Sequence, residues 1–344
     1  MMRCRRLIRT LVAMLPRRFL RLAVSIVILG VSVAVMVHLL AENYERVSRD
    51  IRDLRWEVIT VAFLAVLAAN LSGGFFWKLV LTASGAQISL LTSIRIWCVS
   101  GALKYALGAL TQLAGRIYLT ERAGVPRYIV IISLGIETIL ILMSGAGLIL
   151  LSLPFSAGVI AIDLPFLSPI VSILLGIVVP GATPILISRG VSAGRRLSFL
   201  NPSPMASQTS LWTALVVILF NWSLLGIASF LILASIREAD IRMLPFFIAA
   251  VTAAVILGLA GFTPLGLGVR DVSLTLLLSH AIPLADASII AILHRLLTIL
   301  ADLFAALGVL IVGLVRARFQ AGGVGVTGRD RADNPRSSPR SAGR

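Results

Sequence analysis

Two short stretches of this chain set cations beside glycines within otherwise apolar sequence. The first holds Lys104, Gly108 and Arg116, with Gly101, Gly108 and Gly115 recurring every seven residues. The second runs Pro264-Leu265-Gly266-Leu267-Gly268-Val269-Arg270-Asp271. Glycine allows close approach of backbone N–H groups to a ligand. A helix starting after such a run points its free N–H groups and positive dipole end the same way. Arginine adds a planar fork of donors matched to phosphate. Each stretch is therefore a candidate anion site. Asp271 either joins it or caps the half-helix that begins there.

Further ionisable residues lie deep in apolar runs, where charges are costly and are functional candidates by default. Glu137 sits ten residues into its run. It either bonds to a neighbouring helix as a structural group or faces a polar cavity. Arg295 and Asp302 are seven apart and share a helix face. They line a site or pair with Asp271 or Glu137. His294 is more often a satisfied interior histidine than a proton relay. The substrate-binding set is thus Lys104, Arg116, Glu137, Arg270, Asp271 and Arg295, with the backbone of Gly108, Gly266 and Gly268 as the anion cradle.

No catalytic residue is assigned. The chain has no Gly-x-Ser-x-Gly elbow, no phosphate-binding loop and no histidines paired at metal spacing. Its 3 histidines exclude a His-rich metal centre, and Cys4 and Cys98 have no ligand spacing, so neither metal nor cofactor is expected. A membrane enzyme using Glu137 or Asp271 as base, and a scaffold docking a glycosyltransferase through basic tails, remain as alternatives.

The elements that position these residues follow from composition. Of 344 residues, 58% are hydrophobic and 13% charged, and mean hydropathy is +1.00. A soluble domain would carry about a quarter charged residues. The fold class is an all-α polytopic transmembrane helix bundle. Residues 1–21 form a basic tail, 22–315 the transmembrane domain and 316–344 a disordered basic tail. Apolar runs long enough to cross roughly 30 Å of hydrocarbon cover Leu22–Leu40, Val58–Phe76, Tyr128–Leu153, Phe166–Ser188, Leu211–Ile236, Met243–Phe262 and Ala287–Val315. Trp77-Lys78 reads as an interfacial anchor, and Pro180 and Pro184 as kinks.

Ile88–Gly115 is different. A straight helix there would leave Lys104 in hydrocarbon at a cost of about 3 kcal/mol or more, so a re-entrant pair of half-helices is expected. Thr263–Ile282 is the second broken region, whose part Val272–Ile282 serves one crossing. The sum is about eight crossings. Seven arginines in each terminal tail, and three each in Arg116–Arg127 and Arg189–Ser210, predict cytoplasmic tails in a cell inner (plasma) membrane. The net charge of +16 is then anchorage to anionic lipid rather than a nucleic-acid surface.

These motifs also resemble a known family. Lys104-Tyr105-Ala106-Leu107-Gly108, Gln112-Leu113-Ala114-Gly115-Arg116 and Glu121-Arg122-Ala123-Gly124-Val125 are similar to a Gly-Lys-Tyr-x-Pro-Gly, Gly-Arg, Gly-Val series. Pro264 to Asp271 is similar to its partner, Pro-Gly-Gly-Leu-Gly-Val-Arg-Glu. Both occur in the transmembrane region of lysylphosphatidylglycerol synthase/flippases and in stand-alone flippase-like proteins. The likeness spans about Val58 to Val315. Leu107 replaces Pro, Leu265 replaces Gly and Asp271 replaces Glu. The resemblance implies a lipid-translocating module without the aminoacyl-transferase domain. It would act on membrane lipids, either an anionic phospholipid or a polyprenyl-phosphate-linked glycan.

Overall fold

The computed structural model describes residues 54–107, 109–156, 168–197, 207–260 and 268–324. The predicted first span, most of the mixed-charge stretch Glu42–Glu57 that follows it in the sequence, Gly108 and Gly266 lie outside these residues. Nine α-helices occur among the described residues: α1 Trp56–Ala83, α2 Leu90–Leu107, α3 Ala109–Arg122, α4 Arg127–Ser156, α5 Pro169–Leu197, α6 Gln208–Ile236, α7 Leu244–Ala260, α8 Val269–Leu278 and α9 Leu284–Val324. No strand is present among them. Six helical segments, in α1, α4, α5, α6, α7 and α9, are long and apolar enough to cross a membrane. This is the all-helical, polytopic bundle expected from composition. It is held together by close packing and buried polar contacts, since lipid supplies no hydrophobic drive between helices.

Buried apolar side chains gather in two large clusters and a small third one, in which Cys98 of α2 meets Ala305 and Ala306 of α9. Ala62, Val66, Leu233, Phe247, Leu278 and Ile290 join α1, α6, α7, α8 and α9. Trp77, Leu81, Leu140, Leu215 and Trp222 join α1, α4 and α6. α1 and α6 belong to both large clusters and form the spine. Amides stitch that spine at mid-span. The Asn221 amide donates to the Ala69 carbonyl at 2.5 Å and to Ser72 Oγ at 3.1 Å.

The Ile88–Gly115 stretch folds as a helical hairpin. A straight helix would put residues 103 and 111 about 12 Å apart at 1.5 Å per residue. Instead the Thr111 hydroxyl donates to the Leu103 carbonyl at 2.9 Å, and Arg116 Nε donates to Ser100 Oγ at 3.5 Å. α2 and α3 therefore lie back to back, as the broken pattern predicts. Gly74 seats the hairpin on α1. A Cβ there would meet Ile94 Cα at 2.7 Å, and the freed space lets Ser93 Oγ donate to the Gly74 carbonyl at 2.7 Å.

The same contact corrects the reading of Trp77. α1 continues to Ala83, and α2 covers its face, so Trp77 is fully buried rather than at an interface. α5 continues through Pro180 and Pro184. α9 runs to Val324, nine residues past the expected end of the last span at Val315.

The described part of the second broken region holds the short helix α8, which packs along α7. Gly258, near the end of α7, abuts Arg270 at the start of α8. Beyond α8, Asp286 Oδ2 lies 3.3 Å from Arg237 Nη1, just before α7 begins. The chain from 270 to 286 therefore runs antiparallel along α7. Gly268, at φ +89, makes the turn into α8, a backbone setting that favours glycine.

Candidate functional site

The hairpin brings Lys104 and Tyr105 against α1 and α9. Asp302 on α9 is the hub. Lys104 Nζ lies 2.5 Å from Asp302 Oδ2, and the Tyr105 hydroxyl donates to the same oxygen at 2.5 Å. The Asn70 amide donates to Asp302 Oδ1. Asn70 is itself oriented by the Cys98 thiol, which donates to its Oδ1 at 3.7 Å. Lys104 also sits over the Tyr105 ring, 5.0 Å from its centre, a cation–π contact. Three donors of different chemistry thus converge on one carboxylate that is 5% exposed.

Arg270 and Arg295 stand within electrostatic reach of Lys104. Arg270 in turn feels Asp271, Asp302 and Tyr105. Its Nη2 is shut off from solvent and has no hydrogen-bond partner among the described residues. The buried His294 Nε2 and Ser229 Oγ are in the same condition. Buried donors are almost always satisfied, so this gap is notable where cations gather. Asp271 accepts from the Gly268 N–H at 3.5 Å, the helix-capping role available to it from sequence.

Arg116 and Glu137 are engaged elsewhere, with each other. Arg116 Nη1 donates to both Glu137 oxygens, at 2.6 and 2.9 Å. The guanidinium lies 4.1 Å from the Trp97 ring centre and 5.2 Å from that of Trp77. Arg116 is 4% exposed and Glu137 6%. The pair locks α3 of the hairpin to α4. The sequence left open a pairing of Arg295 or Asp302 with Asp271 or Glu137; in the structure Glu137 takes Arg116, and Asp302 takes Lys104.

The structure thus pairs Lys104 with Asp302, with Arg270 and Arg295 within electrostatic reach of Lys104, keeps Asp271 at the start of α8, and sets Arg116 and Glu137 apart as a closed pair. Gly268 belongs to the α8 turn. Sequence reasoning missed Asn70 and Tyr105 as partners of the site. An asparagine in the middle of an apolar span was the available signal for the first. No group of three or more His, Cys, Asp or Glu suited to a metal occurs among the described residues.

A helical bundle with a buried ionic group at mid-span, reached by a folded-back hairpin, defines a multi-pass membrane protein built around an internal polar site. The family model described as Lysylphosphatidylglycerol synthase TM region matches residues 19–306, and the chain belongs to that family. No curated protein matches the chain.

Proposed function

We propose that this protein moves an anionic lipid, a phospholipid or a polyprenyl-phosphate-linked glycan, between the leaflets of the cell membrane with both termini cytoplasmic. The single observation that carries the reading is the Nη2 of Arg270, close to the Lys104–Asp302 ion pair, a buried donor without a hydrogen-bond partner among the described residues. A buried cationic donor left unpaired is costly unless a counter-ion joins it. An anionic head group is such a counter-ion, and its acyl or prenyl chains can stay in lipid. Membership of the lysylphosphatidylglycerol synthase transmembrane family supports the same class of substrate. The enzyme alternative loses one of its bases, because Glu137 is held in a closed ion pair.

Reconstituted vesicles carrying a fluorescent anionic lipid test the proposal. Wild-type protein should make inner-leaflet lipid accessible to an external quencher. Arg270→Ala should abolish this with the bundle still folded, and Arg270→Lys should retain part of it, since the charge survives but the fork does not. Wild-type rates in Arg270→Ala would refute the assignment. So would recovery in Arg270→Ala, Asp271→Ala, because recovery would mean that Arg270 only balances its neighbour.

A further inference from the structure

Three helices each leave one buried polar atom without a hydrogen-bond partner among the described residues: Ser229 Oγ on α6, Arg270 Nη2 on α8 and His294 Nε2 on α9. Ser229 is 0% exposed and His294 1%. The His294 ring donates to the Leu225 carbonyl of α6. A ring nitrogen that donates to a carbonyl carries the proton, and with Nε2 unpartnered that nitrogen is Nδ1. In the neutral ring Nε2 is therefore a bare acceptor. The same contact explains Ser229. A buried helical serine can donate to the carbonyl four residues back, as Ser223 does to Leu219 at 3.0 Å and Ser288 to Leu284 at 2.8 Å. For Ser229 that carbonyl is Leu225, which the His294 ring uses instead. Both side chains adjoin one carbonyl, and the serine hydroxyl is left over. Arg270 stands within electrostatic reach of His294.

Buried polar groups nearly always have partners, so three complementary ones on packed helices point to a ligand. Arg270 offers only donors and His294 Nε2 only a lone pair, while the Ser229 hydroxyl serves as either. A phosphate oxygen answers Arg270. Nothing in a phosphodiester answers His294, which needs an O–H. We propose that His294 is a specificity-determining residue of the head-group site: its Nε2 accepts a hydrogen bond from a hydroxyl on the group esterified to the phosphate at Arg270, so that polyol or sugar head groups are selected over hydroxyl-free ones. This rests on the anionic-lipid reading above and deepens it. Ser229 donates to a further oxygen of the same head group. A head group without the hydroxyl leaves Nε2 buried and unsatisfied, and a site built to bond a hydroxyl rejects the analogue lacking it for that reason.

Titration calorimetry on the full chain in detergent, at a pH of about 8 where an ordinary imidazole is neutral, provides the test. The probes come in two pairs, and the members of each pair carry the same charge. Short-chain phosphatidylglycerol is set against short-chain phosphatidylpropanol, and a short-chain polyprenyl phosphosugar against the matching polyprenyl methyl phosphate. Wild type should favour the hydroxylated member of at least one pair by about tenfold or more. Whichever pair shows the preference identifies the source of the head group. His294→Leu should narrow the ratio to about twofold or less. His294→Gln, whose amide again joins a donor to an acceptor, should keep more of it. Equal wild-type affinity within every pair that binds overturns the proposal but leaves the anionic-lipid reading standing, and it decides the matter even if a variant fails to fold. A folded His294→Leu that keeps the full preference overturns it too, by placing the hydroxyl elsewhere. No binding of any of the four lipids by well-folded wild type would overturn the anionic-lipid reading itself, and this proposal with it.

Discussion

Replacing Glu137 by Gln isolates the role of the Arg116 pair. In the native chain the Arg116 guanidinium, 4% exposed, is neutralised by a two-pronged contact at 2.6 and 2.9 Å and stacked near two indoles. The amide removes the counter-charge and turns two donors toward a donor. Breaking one side of a buried pair costs about 3–5 kcal/mol. The two Trp contacts remain and offset about 1–2 kcal/mol of what a bare buried cation would cost. Arg116→Met should cost a similar amount through the orphaned carboxylate. The double variant Arg116→Met, Glu137→Leu should be close to wild type, because apolar residues of similar volume replace a buried pair at little cost. Thermal unfolding of the detergent-purified protein, in a double-mutant cycle, reads this as a coupling of about 3 kcal/mol or more. Single variants that melt like wild type would refute the argument. So would a double variant as unstable as the singles. A stable double variant that no longer translocates lipid would return both residues to the binding site.

Two further expectations concern geometry and topology. If α2 and α3 form a hairpin inserted from one side, Ser89→Cys and Arg122→Cys, both at exposed positions near its base, should react with a membrane-impermeant thiol reagent added to the same side. Labelling from opposite sides would show that the segment crosses. Reporter fusions active only in the periplasm should stay silent at either terminus, given seven arginines in each tail. Strong activity from one fusion would reverse the orientation.

What the sequence made legible was set by one-dimensional signals. Long apolar runs located α1, α4, α5, α6, α7 and α9, because a bilayer demands continuous hydrophobic length. Lys104 exposed the hairpin, since a lysine there forbids a plain crossing. Helix period placed Arg295 and Asp302 on one face. Pairing was not legible. Which acid meets which cation depends on how α2, α3, α4, α8 and α9 pack, and four candidate cations (Lys104, Arg116, Arg270 and Arg295) with three candidate acids (Glu137, Asp271 and Asp302) on these helices allow several pairings of similar local plausibility. Trp77 shows the same limit. Its sequence neighbours resemble a membrane interface, yet Gly73 and Gly74 draw α2 across it and bury it. Asn70 was overlooked because an amide carries no charge, although its hydrogen bond helps to hold Asp302 in place.

The two ionic centres share one mechanical element. α2 carries Lys104 and Tyr105, and α3 carries Arg116, so the hairpin connects the charged site to the α4 anchor. The closed pair has nothing to gain from a ligand: its charges cancel, and its contacts are made. The Asp302 group is the opposite, since Arg270 beside it keeps a buried donor without a partner among the described residues. A difference in charge closure, read from side chains on the same hairpin, therefore separates the group that holds the hairpin in position from the group that can receive an anion. Moving Lys104 away from Asp302 would strand two opposite charges in a low-dielectric interior, and the Arg116–Glu137 pair opposes that movement. Any variant that loosens Arg116 should consequently weaken anion binding at a site it does not touch, and should do so in proportion to its loss of stability.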